Sequence, residues 1–181
     1  MRIISGLYKG RRISTPTNIK ARPTTDFAKE GLFNLLNNRM DFEDIDVLDL
    51  FAGTGSIGIE FVSRGSRSVT SIENYEIHCA FIRKVCAELK ISNLQLLKMD
   101  VFKFVGSTNL QFDFIFADPP YELNILEQLP DLVFKNELLK SDGLFVLEHS
   151  SKNNFSQHPY FLDHRAYGNV NFSFFGFPEA E

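Results

Sequence analysis

From residue 46 onward, short apolar runs alternate with helix-length segments, and this rhythm constrains the chain more than any other feature. The runs cover 47–51, 69–72, 94–97, 112–117 and 144–147. Between them, the clearest helical patterns fall at 56–63, 75–90 and 124–139. Strands that are apolar on both faces and separated by helices predict a parallel sheet covered on both sides. The tail breaks the rhythm. Residues 161–167, then Gly168-Asn169, then 170–175 predict two strands around a tight turn. A mostly parallel α/β sheet closed by a C-terminal antiparallel hairpin is the expected fold.

Upstream, Ile3, Ile4, Leu7 and Ile13 make short β-like runs broken by Gly6 and Gly10, so a small hairpin or extended arm is expected. Thr24, Thr25 and Asp26 supply helix-start residues for a helix through residue 38. The division expected is a basic arm over 1–22 and a single domain over 23–181.

The arm is basic and the body acidic. Arg2, Lys9, Arg11, Arg12, Lys20 and Arg22 fall in the first 22 residues with no acid among them, while all 23 acidic residues lie beyond, in a chain of net charge −4. Such a split suits a polyanion, because Lys and Arg displace condensed counterions from phosphates. It equally suits a solvated edge whose lysines discourage aggregation. No uncharged apolar stretch approaches the roughly 18 residues of a membrane span. The first residues lack an apolar signal core, so a cytoplasmic protein is expected. The two cysteines, Cys79 and Cys86, suit one side of a helix, and His78, His149, His158 and His164 share no ligand spacing. No metal is expected.

Two loops carry chemistry. Val47-Leu48-Asp49-Leu50-Phe51-Ala52-Gly53-Thr54-Gly55-Ser56-Ile57-Gly58 reads as a buried strand, a glycine turn and a helix start, with Glu73 closing the next strand. Spacing alone also fits a dinucleotide site. Asp49 separates the readings. A carboxylate there suits a ligand bearing an ammonium and a sulfonium, as S-adenosylmethionine does, better than a pyrophosphate; Glu73 can take the ribose diol. The second loop, Asp118-Pro119-Pro120-Tyr121, follows the fourth strand. Two prolines stiffen the turn and bare its carbonyls. Asp118 beside such a carbonyl can hold both hydrogens of a nucleobase NH2, and Tyr121 can stack on the base.

Asp49-x-x-x-Gly53-x-Gly55 together with Asp118-Pro119-Pro120-Tyr121 resembles the class I S-adenosylmethionine-dependent amino methyltransferases. More closely, the chain resembles the bacterial 16S rRNA guanine-N2 methyltransferases that modify guanine 966. Met1-Arg2-Ile3-Ile4-Ser5-Gly6, Arg22-Pro23-Thr24-Thr25-Asp26, Ser63-Arg64-Gly65, Glu148-His149-Ser150 and Tyr167-Gly168-Asn169 extend the resemblance over nearly the whole chain. Lys29 and Gly31 depart from the Arg and Ala expected in the first helix. The resemblance implies a Rossmann-like seven-stranded sheet with the last strand inserted antiparallel. It implies S-adenosyl-L-methionine held by Arg22, Pro23, Thr24, Asp49, Phe51, Gly53, Thr54, Gly55, Glu73, Asn74, Asp100, Val101 and Asp118. Asp100 also reads as a helix N-cap. Asp118, Pro119, Pro120 and Tyr121 would carry catalysis. Arg2, Lys9, Arg11, Arg12 and Lys20 would hold 16S rRNA, in the small ribosomal subunit or its assembly intermediate, with the enzyme a monomer. His149 near the crevice reads more readily as a satisfied polar residue than as a base. A DNA adenine-N6 methyltransferase, a non-catalytic RNA-binding assembly factor and a nicotinamide-linked oxidoreductase are the competing readings.

Overall fold

The computed structural model describes residues 1–19, 25–120 and 126–178. Its elements run α1 (Asp26–Leu36), β1 (Asp46–Leu50), α2 (Ser56–Ser63), β2 (Ser68–Glu73), α3 (Glu76–Leu89), β3 (Leu94–Lys98), α4 (Val101–Val105) and β4 (Phe112–Ala117). A 3-10 turn (Leu126–Gln128), α5 (Leu129–Lys135), β5 (Leu139–His149), β6 (Phe161–Tyr167) and β7 (Val170–Phe175) follow. The strands form one sheet in the order β3-β2-β1-β4-β5-β7-β6. Strands β1 to β5 pair in parallel, and β7 is antiparallel to both β5 and β6. This is the class I methyltransferase sheet with its C-terminal hairpin, as the alternation and the Gly168-Asn169 turn predict.

Chain order reverses between β1 and β4, which opens a crevice at the carboxyl ends of the strands. Alternate strand residues serve opposite faces. Val47, Phe114, Val146 and Phe172 pack beneath α1 and α2, whereas Leu48, Ile115, Leu147 and Phe175 pack beneath α4 and α5. The phenylalanines chiefly build these two layers; Phe61 of α2 lies 4.6 Å from Phe114 and 5.0 Å from Phe33 of α1.

Two boundaries differ by more than two residues from the sequence reading. The helix expected over 124–139 ends at Lys135, because Glu137 takes a left-handed φ of 54° and Leu139 already pairs with Phe112 of β4; residues 124 and 125 lie outside the described residues. The run expected at 144–147 is the inner part of the longer β5, whose register shifts across its polar stretch from Leu139 to Leu144. The N-terminal segment is the expected small hairpin, closed by a single antiparallel bridge between Arg2 and Arg12, with Ile3 N–H donating to Arg11 O at 3.0 Å and Gly10 N–H to Ile3 O at 2.9 Å.

That segment is well seated. Leu7 N–H donates to Ser63 O at 2.6 Å, Tyr8 N–H donates to Ser63 Oγ at 3.0 Å, and Ser63 Oγ donates to Ser5 O at 2.6 Å. Gly6 (φ 81°) rests so closely on the Ser63 carbonyl that any Cβ would overlap it. Ile3, fully buried, joins Ile59 of α2 with Phe81 and Val85 of α3. Among the described residues no helix is long and apolar enough to cross a membrane.

Candidate active site

Three carboxylates stand at the carboxyl ends of neighbouring strands: Asp49 in β1, Glu73 closing β2 and Asp100 just after β3. Between β1 and α2 the backbone turns through left-handed conformations at Phe51 (φ 59°), Gly53 (φ 56°) and Gly55 (φ 72°). A non-glycine residue held at positive φ stores strain of the kind found at binding loops. Gly58 lies in the first turn of α2. A Cβ there would meet Ser71 Oγ at 3.0 Å and Asp49 Oδ2 at 3.1 Å, so glycine is what lets α2 settle onto β1 and β2.

Asp49 is buried, and its Oδ2 accepts the Gly58 N–H at 3.1 Å. Burial pushes its carboxyl up to about 7, the Glu73 charge adds to this, and the Gly58 bond opposes it. Once ionised, such a carboxylate is short of counter-charge and favours a cationic ligand group.

Glu73 gathers the neighbouring loops. Its Oε2 accepts the Gly53 N–H at 2.8 Å, its Oε1 accepts those of Asn74 and Tyr75 at 2.8 Å each, and His78 Nδ1 lies 3.4 Å from Oε2. A carboxylate has about four acceptor positions, so a hydroxyl can still join from the crevice. Asp100 caps α4, its Oδ1 accepting the Lys103 N–H at 3.1 Å. Val101 is buried in the core, and Phe102 meets Phe51 edge-on, ring centres 6.2 Å apart. Thr54 is buried, and Gly55 caps α2 with no side chain. A loop made of glycines, an uncapped helix start and three carboxylates fits a ligand with a carboxylate, an ammonium and a ribose diol.

The second loop meets the first here. Leu50 pairs with Ala117, and the next residue, Asp118, donates its N–H to Leu50 O at 3.4 Å. Asp118 is half-buried, Pro119 buried and Pro120 exposed. Tyr121 lies outside the described residues, as do Lys20, Arg22, Pro23 and Thr24. Asp118 therefore sits at the β1–β4 reversal, one residue beyond the last paired positions.

Lys9, Arg11 and Arg12 are exposed and make no ion pair among the described residues. Arg2 differs: it pairs with Glu30 and lies 3.7 Å from Asp26. His149 is buried with both ring nitrogens engaged. Nδ1 lies 2.7 Å from the Ser150 carbonyl and so carries the proton, while Nε2 accepts from Ser173 Oγ at 2.8 Å. Burial lowers its pKa and keeps the ring neutral.

Sequence reasoning missed the link between the arm and the glycine loop. Glu60 of α2 accepts the Ile4 N–H (2.9 Å), the Ser5 N–H (3.0 Å) and Arg64 Nε–H (2.9 Å). Lys29 of α1 sits 3.6 Å from Glu60 and donates to Arg2 O (2.6 Å) and Ser56 Oγ (3.0 Å). Both side chains are buried. Two charged residues among the apolar positions of their helices, Lys29 beside Ala28, Leu32 and Phe33, and Glu60 within Ser56–Ser63, were the available signal.

The model of the family described as conserved hypothetical protein 95 matches residues 1–176. The ribosomal RNA small subunit methyltransferase D of Buchnera aphidicola subsp. Baizongia pistaciae is 36% identical over 148 residues, covering 82% of this chain and 75% of that protein. The protein of the same name from Escherichia coli K12 is 32% identical over 153 residues, covering 84% and 76%. A solved structure from Escherichia coli, named as a putative methyltransferase, superposes with a TM-score of 0.84 at 28% identity, covering 97% of this chain and 96% of the other.

Proposed function

The chain belongs to the conserved hypothetical protein 95 family, and on that premise we propose that its crevice methylates the exocyclic N2 of guanine 966 in 16S rRNA. It is an S-adenosylmethionine-dependent rRNA methyltransferase. Its substrate is read as the small ribosomal subunit or an assembly intermediate, and the enzyme as a cytoplasmic monomer. The observation that carries the catalytic reading is the Asp118 N–H bond to Leu50 O, which ties the acceptor turn to the mouth of the glycine loop.

Asp49, the amides around Phe51, Gly53, Thr54 and Gly55, Glu73 with Asn74, and Asp100 with Val101 would hold the donor. When bound, S-adenosylmethionine supplies a methyl group on a sulfonium. The remaining work falls to the chain's own residues. Asp118 and a main-chain carbonyl of the proline turn accept the two N–H bonds of the guanine amine. Fixing both hydrogens localises a lone pair otherwise delocalised into the ring and aims it at the methyl group. Asp118 then takes the proton that nitrogen loses and passes it to solvent. Pro119 and Pro120 keep the turn from relaxing. Lys9, Arg11 and Arg12, with Arg2 and Lys20, form the proposed RNA-holding arm.

Purified protein incubated with labelled donor and unmethylated small subunits should label 16S rRNA, and Asp118→Ala should abolish it. Absence of incorporation with the unaltered protein would overturn the reading.

A further inference from the structure

We propose that Phe27 and Tyr167 form a stacking platform for an unpaired nucleobase of the RNA substrate, beside a cleft that takes the adjoining phosphate. The inference rests on the rRNA reading above and adds to it a subsite separate from the methyl-transfer crevice.

Phe27, in the first turn of α1, is 67% exposed. Its ring meets Tyr167 edge to face, centroids 5.9 Å apart and planes at 77°. Tyr167 is itself held. Its ring packs 6.0 Å from Phe172 and fills the space left by the missing side chain of Gly31, where a Cβ would collide with three ring atoms. An aromatic surface with one anchored member and one exposed member is suited to receive a third ring.

Position favours the acceptor. Strand β6 runs parallel to β5, through the antiparallel β7, so Tyr167 lies at the same end of the sheet as Asp118. It stands on the β5–β7–β6 side, away from the β2 and β3 ends where Glu73 and Asp100 would hold the donor.

Charge favours nucleic acid over a protein partner. Asp26, the neighbour of Phe27, lines a cleft of about 430 Å³ together with Met1, Arg2, Arg12, Ile13 and Ser14. Arg12 makes no ion pair among the described residues, and Arg2, 3.7 Å from Asp26, is shared between that carboxylate and Glu30. Single-stranded RNA is held by this combination, bases on aromatic rings and phosphates on cations.

The chain contains no tryptophan, so Phe27→Trp creates a unique reporter on an exposed site. Its emission should be quenched by a ten-nucleotide single-stranded RNA and unaffected by inorganic polyphosphate of equal charge. Phe27→Ala should weaken that RNA about tenfold, Phe27→Tyr should restore it, and S-adenosylhomocysteine binding should not change. Equal quenching by polyphosphate would overturn the platform, as would unchanged RNA affinity in Phe27→Ala. An effect confined to assembled subunits, with free RNA unaffected, would assign the surface to a protein contact and overturn it too. Stacking by a protein that transfers no methyl group would uphold the platform and refute the catalytic reading alone.

Discussion

Lys29 Nζ lies 3.6 Å from Glu60 Oε2, with both side chains closed to solvent and the N-terminal arm bound across them. Burial lowers the pKa of Lys29, and the charges of Glu60 and Asp26 oppose that. Breaking the pair leaves Glu60 with Arg64 as its remaining cation and the Arg2 carbonyl without its donor. Lys29→Met is expected to destabilise the protein by about 3–5 kcal/mol, read from urea unfolding. Adding Glu60→Gln should recover part of the loss, because the remaining amide oxygen can still accept one arm N–H.

Gly31→Ala sets helix propensity against packing. Alanine gains about 1 kcal/mol in a helix interior, but its Cβ would enter the Tyr167 ring. Overpacking of this kind costs roughly 1–3 kcal/mol. The expected outcome is a lower thermal midpoint, together with a changed near-ultraviolet signal from the displaced tyrosine.

Asp49 gives the protein a pH dependence of definite sign. Its folded carboxyl titrates near 7, against an ordinary value of 3.8. Across that window the folded state keeps a proton the unfolded state has lost, so this group's contribution to stability falls as pH rises and stays reduced above about 7. Asp49→Asn should therefore raise the thermal midpoint more at pH 8 than at pH 4.5. Affinity for S-adenosylhomocysteine should rise between pH 6 and 8 in the unaltered protein, as Asp49 ionises towards the ligand ammonium, and stay flat in the variant.

Asp118→Ala should lower kcat about a hundredfold or more while leaving the donor Kd unchanged. Single-turnover methylation combined with calorimetric titration separates the two quantities. Loss of donor binding instead would move Asp118 from the acceptor to the cofactor.

Replacing Arg11 and Arg12 together by Ala should weaken RNA binding and flatten its salt dependence, reducing the log–log slope by about 1.4 for two lost phosphate contacts. An unchanged slope would place the RNA elsewhere.

The sheet was legible because its central strands are apolar on both faces and bounded by polar or glycine turns. Helix 56–63 and strand 112–117 fall where the pattern puts them. The end of α5 was not legible. Leu138 and Leu139 continue a helical spacing, and the left-handed turn at Glu137 becomes visible only when β5 pairs with β4. In the crevice, the loops carrying Asp49 and Asp118 were marked by glycine and proline. The amide partners that occupy Glu73 were not, since backbone donors leave no trace in composition. Lys29 was visible as a departure, but its role depends on Glu60, 31 positions away.

In the arm, Glu60 grips peptide nitrogens at positions 4 and 5, not side chains. The clasp therefore asks of those two positions a backbone N–H, which proline lacks, and a fixed spacing, so an insertion or deletion between Ile3 and Gly6 would slide the chain off it.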